Sequence, residues 1–162
     1  MSKCLILMCG PSGAGKSTWA KKIAEEQAKP VHYVSRDEVR FSMVSEKEEY
    51  FSKENEVFKE WIRRIQNFLD IDEDCYVIAD ATHLSERSRN KTLDALNIPN
   101  NTNIIPVSVY PGVQKCLDRN EKRSGRARVP RSVVRRMCMS YEAPTSDEKY
   151  HYYSIIVKVE GD

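Results

Sequence analysis

Residues Gly10 to Ser17 read G-P-S-G-A-G-K-S, a glycine-rich loop of spacing G-x-x-x-x-G-K-S set directly after the apolar run Lys3 to Cys9 and directly before a helix-forming stretch. Strand, loop and helix in that order are the context in which this spacing cradles phosphate. Glycine lets the backbone close around phosphate oxygens with its N–H groups turned inward, and the following helix N-terminus adds partial positive charge. Lys16 is expected to reach the β- and γ-phosphates, and the Ser17 hydroxyl to ligate Mg²⁺. The pattern thus predicts a site for ATP and Mg²⁺ walled by Gly10, Ser12, Gly13, Ala14, Gly15, Lys16, Ser17 and Thr18.

The rest of the chain alternates strand and helix signals around this loop. Residues 3 to 9 suit a central strand buried on both faces, and Lys16 to Ala28 reads as a helix ended by Pro30. Val31 to Val34 is a short strand, with Ser35 placed to cap a helix that begins near Asp37. Val57, Phe58, Trp61, Ile62, Ile65, Phe68 and Leu69 recur at helical intervals between Glu54 and Leu69. A second buried-strand run, Cys75 to Ala79, ends in Asp80, and Ser85 to Leu96 reads as a capped helix. Ile104 to Tyr110, a helix from Val113 that frays at Ser124 and Gly125, a helix after Pro130, and a last strand from Ser154 to Val159 complete the pattern. Such alternation predicts an α/β three-layer sandwich: a parallel five-stranded sheet, helices on both faces, and ligands at the carboxyl ends of the strands. At 162 residues the chain is expected to form one domain over 1–162.

Charge and cysteine content narrow the function class. Between Lys115 and Arg136 nine basic residues face only Asp118 and Glu121, a local +7 that leaves −5 for the remainder of a chain of net charge +2. A basic block concentrated in this way predicts a polyanionic partner. Five cysteines without a CxxC pair read as reduced, mostly buried thiols. No apolar run approaches the ~20 residues of a membrane span, so a cytoplasmic protein without membrane contact is expected. A guanine-nucleotide switch is disfavoured: Asn90-Lys91-Thr92-Leu93 lacks the acid of an N-K-x-D reader, and Asp80 is not followed by the glycine of a D-x-x-G switch. An ATP-dependent phosphotransferase of small size is the economical reading.

A phosphotransferase needs a base for the acceptor hydroxyl beside the γ-phosphate. Asp37, just beyond the second strand, can take that proton, and Arg40, a helical turn later, can hold an anionic acceptor. Asp80 ends a strand where P-loop proteins often keep an acid close to Mg²⁺, with Thr82 facing the same cleft; His83 reads as an ordinary loop residue. The segment from about 119 to 131 has the form of an arginine lid hinged at Gly125, able to stabilise charge on the transferring phosphoryl group.

These motifs together resemble the kinase domain of bacteriophage-type 5′-polynucleotide kinases and the small P-loop kinases around it. The resemblance is carried by the P-loop with Ser17-Thr18-Trp19-Ala20, by Arg36-Asp37-x-x-Arg40, by Asp80-Ala-Thr, and by Arg119-Asn120-x-x-Arg123 leading to Val129-Pro130. It implies transfer of the ATP γ-phosphate to the 5′-hydroxyl of DNA or RNA. Asp37 would be the general base, Lys16 and Arg123 catalytic cations, Arg119 and Arg123 lid contacts to ATP, and Arg40, Asp80 and Thr82 acceptor contacts; Arg126, in the same lid, is expected at ATP beside them. The lid departs from the family pattern by one additional residue and by Arg126 and Arg128, and the tail Tyr141 to Glu148 resembles an E-x-P-T-x-x-E linker near the adenine. Two alternatives share the same loop: a small-molecule or toxin-like kinase acting on a nucleoside, sugar, antibiotic or nucleotide sugar, and a nucleic-acid-binding ATPase module that transfers no phosphate.

Overall fold

The computed structural model describes residues 2–158. Five parallel strands lie in the order β2-β3-β1-β4-β5: β1 Lys3–Cys9, β2 Val31–Ser35, β3 Cys75–Asp80, β4 Thr102–Val109 and β5 Ile156–Lys158. Six helices connect them: α1 Lys16–Glu26, α2 Arg36–Met43, α3 Glu54–Asp70, α4 Glu86–Asp94, α5 Val113–Glu121 and α6 Arg131–Ser140. The expected α/β sandwich is therefore present. Val159, expected within the last strand, lies outside the described residues.

Alternation along the strands divides the core in two. Leu5 and Leu7 of β1, with Val34, Val77 and Ala79, pack beneath α2, α3 and α4 against Val39, Val57, Trp61, Ile65, Leu69 and Leu93. Ile6 and Met8, with Ile78, Val107 and Val109, pack on the other face against Ala20, Cys116, Leu117, Val134 and Cys138 from α1, α5 and α6. Period-two strand geometry sends successive β1 side chains to opposite layers, which is why the run had to be apolar without interruption. Trp61 is fully buried and its indole Nε1 donates to Val34 O at 3.0 Å, anchoring α3 on β2. All five cysteines are free; Cys9, Cys75, Cys116 and Cys138 are buried and Cys4 partly so. Among the described residues no helix is long and apolar enough to cross a membrane.

Register fixes the functional edge. Cys9, Ser35 and Asp80 end their strands together, with Met8 opposite Asp80 and Ser35 opposite Asp80. β1 is bordered by β3 on one side and β4 on the other, so the chain's crossovers depart from it in both directions. The glycine loop thus leaves the sheet at its topological switch point, where open α/β sheets bind ligands.

His83 is a core residue of the β3–α4 loop, which its loop-like context does not reveal. It is 3% exposed at φ 42°, with Nδ1 donating to Met8 O at 2.7 Å and Nε2 accepting from Thr92 Oγ1 at 3.0 Å. Burial, with the cations Arg36, Arg89 and Lys16 adding to it, pushes its pKa down to about 4. The unfolded chain takes up this proton below about pH 6.5 and the folded chain does not. Stability should accordingly fall as pH drops from about 6.5 toward 4, by roughly 3 kcal/mol in all. A urea midpoint that stays level between about pH 7 and pH 5 would contradict this assignment.

Candidate active site

The glycine loop owes its shape to positions where a side chain cannot be placed. Gly10, Gly13 and Gly15 have φ of 149°, 83° and 100°. A Cβ on Gly10 would lie 2.1 Å from Val109 O, and one on Gly13 2.3 Å from Cys116 O. The loop therefore presses against the end of β4 and the first turn of α5, with Gly10 N donating to Thr82 O at 2.8 Å to tie it to the β3 end. α1 opens at Gly15 with no side chain capping its first turn, which leaves backbone donors turned toward an anion. Ser12 and Ala14 are buried in the cradle, while Ser17 and Thr18 lie exposed at the helix start. Lys16 Nζ donates to Pro11 O at 2.9 Å. Burial lowers its pKa, and the carboxylates of Asp80 and then Asp37 act in the opposite direction.

That electrostatic pairing places both acids near one ammonium group. Ser17 Oγ donates to Asp80 Oδ2 at 3.1 Å, and the Tyr33 hydroxyl donates to the same oxygen while lying 3.3 Å from Ser17 Oγ. Burial and the neighbouring Asp80 charge push the Tyr33 phenol well above its usual range, so it stays a donor. Asp80, expected at the acceptor, stands on the P-loop serine. A hydroxyl and a carboxylate side by side are hard oxygen donors suited to Mg²⁺, and the uncapped loop suits phosphate, so this site fits both groups.

The second cluster lies beyond β2. Ser35 caps α2 by accepting from Glu38 N at 3.2 Å, which turns Asp37 and Arg40 toward the cleft. Arg40 is 6% exposed and nearly saturated: Nε and Nη2 bond Glu54 at 2.6 and 3.1 Å, and Nη1 donates to Asp37 Oδ1 at 2.5 Å and to Tyr50 Oη at 3.3 Å. Both hydrogen bonds accepted by Asp37, from Arg40 and from Tyr50, end on Oδ1, so Oδ2 remains open to an incoming hydroxyl. Arg36 also donates to Glu54, at 3.0 Å, and stacks over Phe58 and Trp61. Tyr33, Tyr50 and Glu54 were not legible as site residues. Glu54 lies fourteen positions from Arg40 across an irregular segment, and Tyr33 meets Asp80 only through the β2–β3 register.

The lid spans both clusters. Arg119 Nη1 donates to Ala14 O at 2.8 Å, on the P-loop. Asn120 bonds both backbone groups of Val129, pinning the base of the lid. Arg123 is half-buried, donates to Ala127 O at 3.5 Å, and lies close enough to Lys16 to oppose its charge. Arg126, expected beside Arg119 and Arg123 at ATP, instead donates to Phe41 O and Val44 O at the end of α2 and stacks on Phe41. A short 3₁₀ turn over Gly125–Ala127 brings it there, where the terminal carbonyls of α2 need donors. The tail resembling an adenine linker is fixed behind α4: Arg89 and Glu148, 1% and 3% exposed, form a bidentate pair.

With this geometry in hand, a family model described as AAA domain matches residues 5–144. No curated protein sequence matches the chain. Among solved structures it is similar to a chain of the Pnkp1/Rnl/Hen1 RNA repair complex, with a TM-score of 0.69 and 22% identity over 86% of this chain and 43% of that one. A sugar kinase from Janibacter sp. gives a TM-score of 0.63 and 18% identity over 98% and 85% of the two chains. Kti12 from Chaetomium thermophilum in complex with ADP-AlF3 gives 0.63 and 18% over 98% and 90%. The chain thus spans less than half the length of the RNA-repair chain it matches, and at these identities the likeness is one of fold, that of the P-loop kinases.

Proposed function

This chain belongs to the AAA domain family, and from that premise we propose that it is a kinase transferring the γ-phosphate of ATP to the 5′-hydroxyl of a polynucleotide. The observation that carries the reading is that Asp80 accepts from Ser17 of the loop while Asp37, at the start of α2, takes its hydrogen bonds on Oδ1 alone, both carboxylates acting on the half-buried Lys16 ammonium. β2 and β1 are separated by β3, so their ends stand about 10 Å apart at two strand spacings. That gap accommodates a terminal phosphoryl group and a hydroxyl approaching it.

Asp37 Oδ2 takes the proton of the acceptor hydroxyl as its oxygen bonds the γ-phosphorus. The bond from that phosphorus to the β–γ bridging oxygen breaks, and ADP departs with the electron pair. Lys16 and the arginines Arg119 and Arg123 face the charge spread over the phosphoryl oxygens. Mg²⁺, held at Ser17 and Asp80, would neutralise charge on the β- and γ-phosphates. Thr82 stands where the acceptor enters, its carbonyl already engaged by the loop.

The polynucleotide acceptor is supported by the +7 segment around the lid and by a fold shared with a chain of an RNA repair complex. The fold is equally shared with a sugar kinase, so acceptor class is the point to test. Incubation with γ-labelled ATP, a 5′-hydroxyl oligonucleotide and a panel of sugars and nucleosides should label the oligonucleotide. Label confined to the small molecules would overturn the reading and favour a metabolite kinase.

A further inference from the structure

Between α3 and α4 runs an open groove of about 860 Å³ whose wall includes Phe58, Arg87, Asn90 and Lys91. Its charge balance is not what its composition suggests. Glu86 and Asp94 also line it, yet Asp94 is taken up by Lys149 at 2.8 Å and Tyr150 at 2.6 Å, and Glu86 accepts from Lys149 N at 3.3 Å. Among the described residues neither Arg87 nor Lys91 is paired with a carboxylate; Lys91 stands 4.7 Å over the Phe58 ring. The groove consequently presents two cations without a carboxylate partner among the described residues, one of them resting on an aromatic face.

Two further features point to a ligand there. Asn90, half-buried in the wall beside both cations, adds a side-chain amide to the groove, its Oδ1 turned inward without a hydrogen-bond partner among the described residues. Arg36, the residue before Asp37, stacks on the same Phe58 ring at 5.2 Å from its centre, and its Nε is buried without a hydrogen-bond partner among the described residues. Phe58 therefore joins the groove to the acceptor cluster, and α4 enters it directly beyond the β3 end that carries Asp80. An occupant that starts at Asp37 and leaves along the groove needs anionic groups for Arg87 and Lys91 and a polar group beside the Asn90 amide. A nucleic acid strand has both, on its phosphates and on its bases.

We propose that the α3–α4 groove holds the acceptor strand beyond its terminal nucleotide, with Arg87 and Lys91 on backbone phosphates and the Asn90 amide beside a base or sugar. This assignment rests on the polynucleotide reading of the site. It makes the groove the determinant of length dependence: a nucleoside 3′-monophosphate fills only the cluster at Asp37, and a longer strand gains the groove.

The test is the double variant Arg87→Ala/Lys91→Ala, two surface positions whose loss leaves the core intact. A single-stranded 5′-hydroxyl oligonucleotide should bind it on the order of tenfold more weakly at low salt. The slope of log affinity against log salt should shrink by about 0.7 for each lost phosphate contact. Phosphorylation of a nucleoside 3′-monophosphate should be unchanged. The control Lys21→Ala/Lys22→Ala removes two exposed charges from α1, and an equal loss of affinity and slope there would reduce the effect to net charge and overturn the proposal. Unchanged oligonucleotide affinity and slope in Arg87→Ala/Lys91→Ala would overturn the groove while leaving the kinase reading intact. Failure of the unmodified protein to bind or phosphorylate any oligonucleotide would remove both together.

Discussion

Asp37→Asn should lower the rate of phosphoryl transfer by about 10²- to 10⁴-fold, the usual worth of a positioned general base, while ADP binds as before. The substitution is nearly isosteric. An amide oxygen can still accept the Arg40 and Tyr50 hydrogen bonds that now end on Oδ1, so α2 and the Arg40–Glu54 pair should hold their geometry. What is lost is the basic oxygen at Oδ2. In the proposed site ADP would meet the glycine loop, Lys16 and Arg119, none of which hydrogen-bonds Asp37. Single-turnover transfer measured beside ADP titration calorimetry separates the two effects. Undiminished ATP turnover with retained oligonucleotide binding would instead identify a binding module driven by nucleotide.

Glu148→Ala should cost about 3–5 kcal/mol of stability and lower the melting temperature by roughly 10 °C, the largest effect expected outside the cleft. Glu148 accepts from Arg89 Nε at 2.9 Å and Nη2 at 2.7 Å, from Thr145 N at 2.9 Å and from the Tyr152 hydroxyl at 2.9 Å. Arg89 also donates to His83 O and Glu142 O, both at 2.9 Å. One guanidinium thus joins α4, the loop after β3 and the tail. Truncating Glu148 strands a buried cation, and that uncompensated charge accounts for most of the cost. The double substitution Arg89→Met/Glu148→Leu removes both charges and should recover much of the loss, since the pair itself returns little more than its desolvation. Equal destabilisation of the single and double variants in urea would show that packing alone matters there.

Much of the fold was legible because its signals are local. The run Lys3 to Cys9, the helical spacing from Val57 to Leu69 and the strand ending at Asp80 each lie in one contiguous segment whose period is set by backbone geometry. The cap at Ser35 was readable for the same reason, its partner being three residues away. The site was legible in its parts and not in its pairings. Arg40 was visible as a possible anion contact, but its near-saturation by Glu54, Asp37 and Tyr50 depends on how residues 44 to 53 fold back. His83 had the context of a loop and the burial of a core residue, because α4 closes over it. Arg126 stood among other arginines in the sequence, and only the turn at Gly125 sends it to α2.

The sequence by itself therefore determined that a phosphate loop would sit between a doubly buried strand and a helix, since Gly10, Gly13, Gly15, Lys16 and Ser17 lie in one contiguous segment whose positive-φ glycines set its backbone turn. Tertiary structure decided what faces that loop. Strand register set Asp80 on Ser17 and beneath Tyr33, and the order β2-β3-β1 set the span to Asp37. These are contacts between residues distant in the chain. Their distances follow from which strands pair and which helix faces are buried, and no local spacing encodes them.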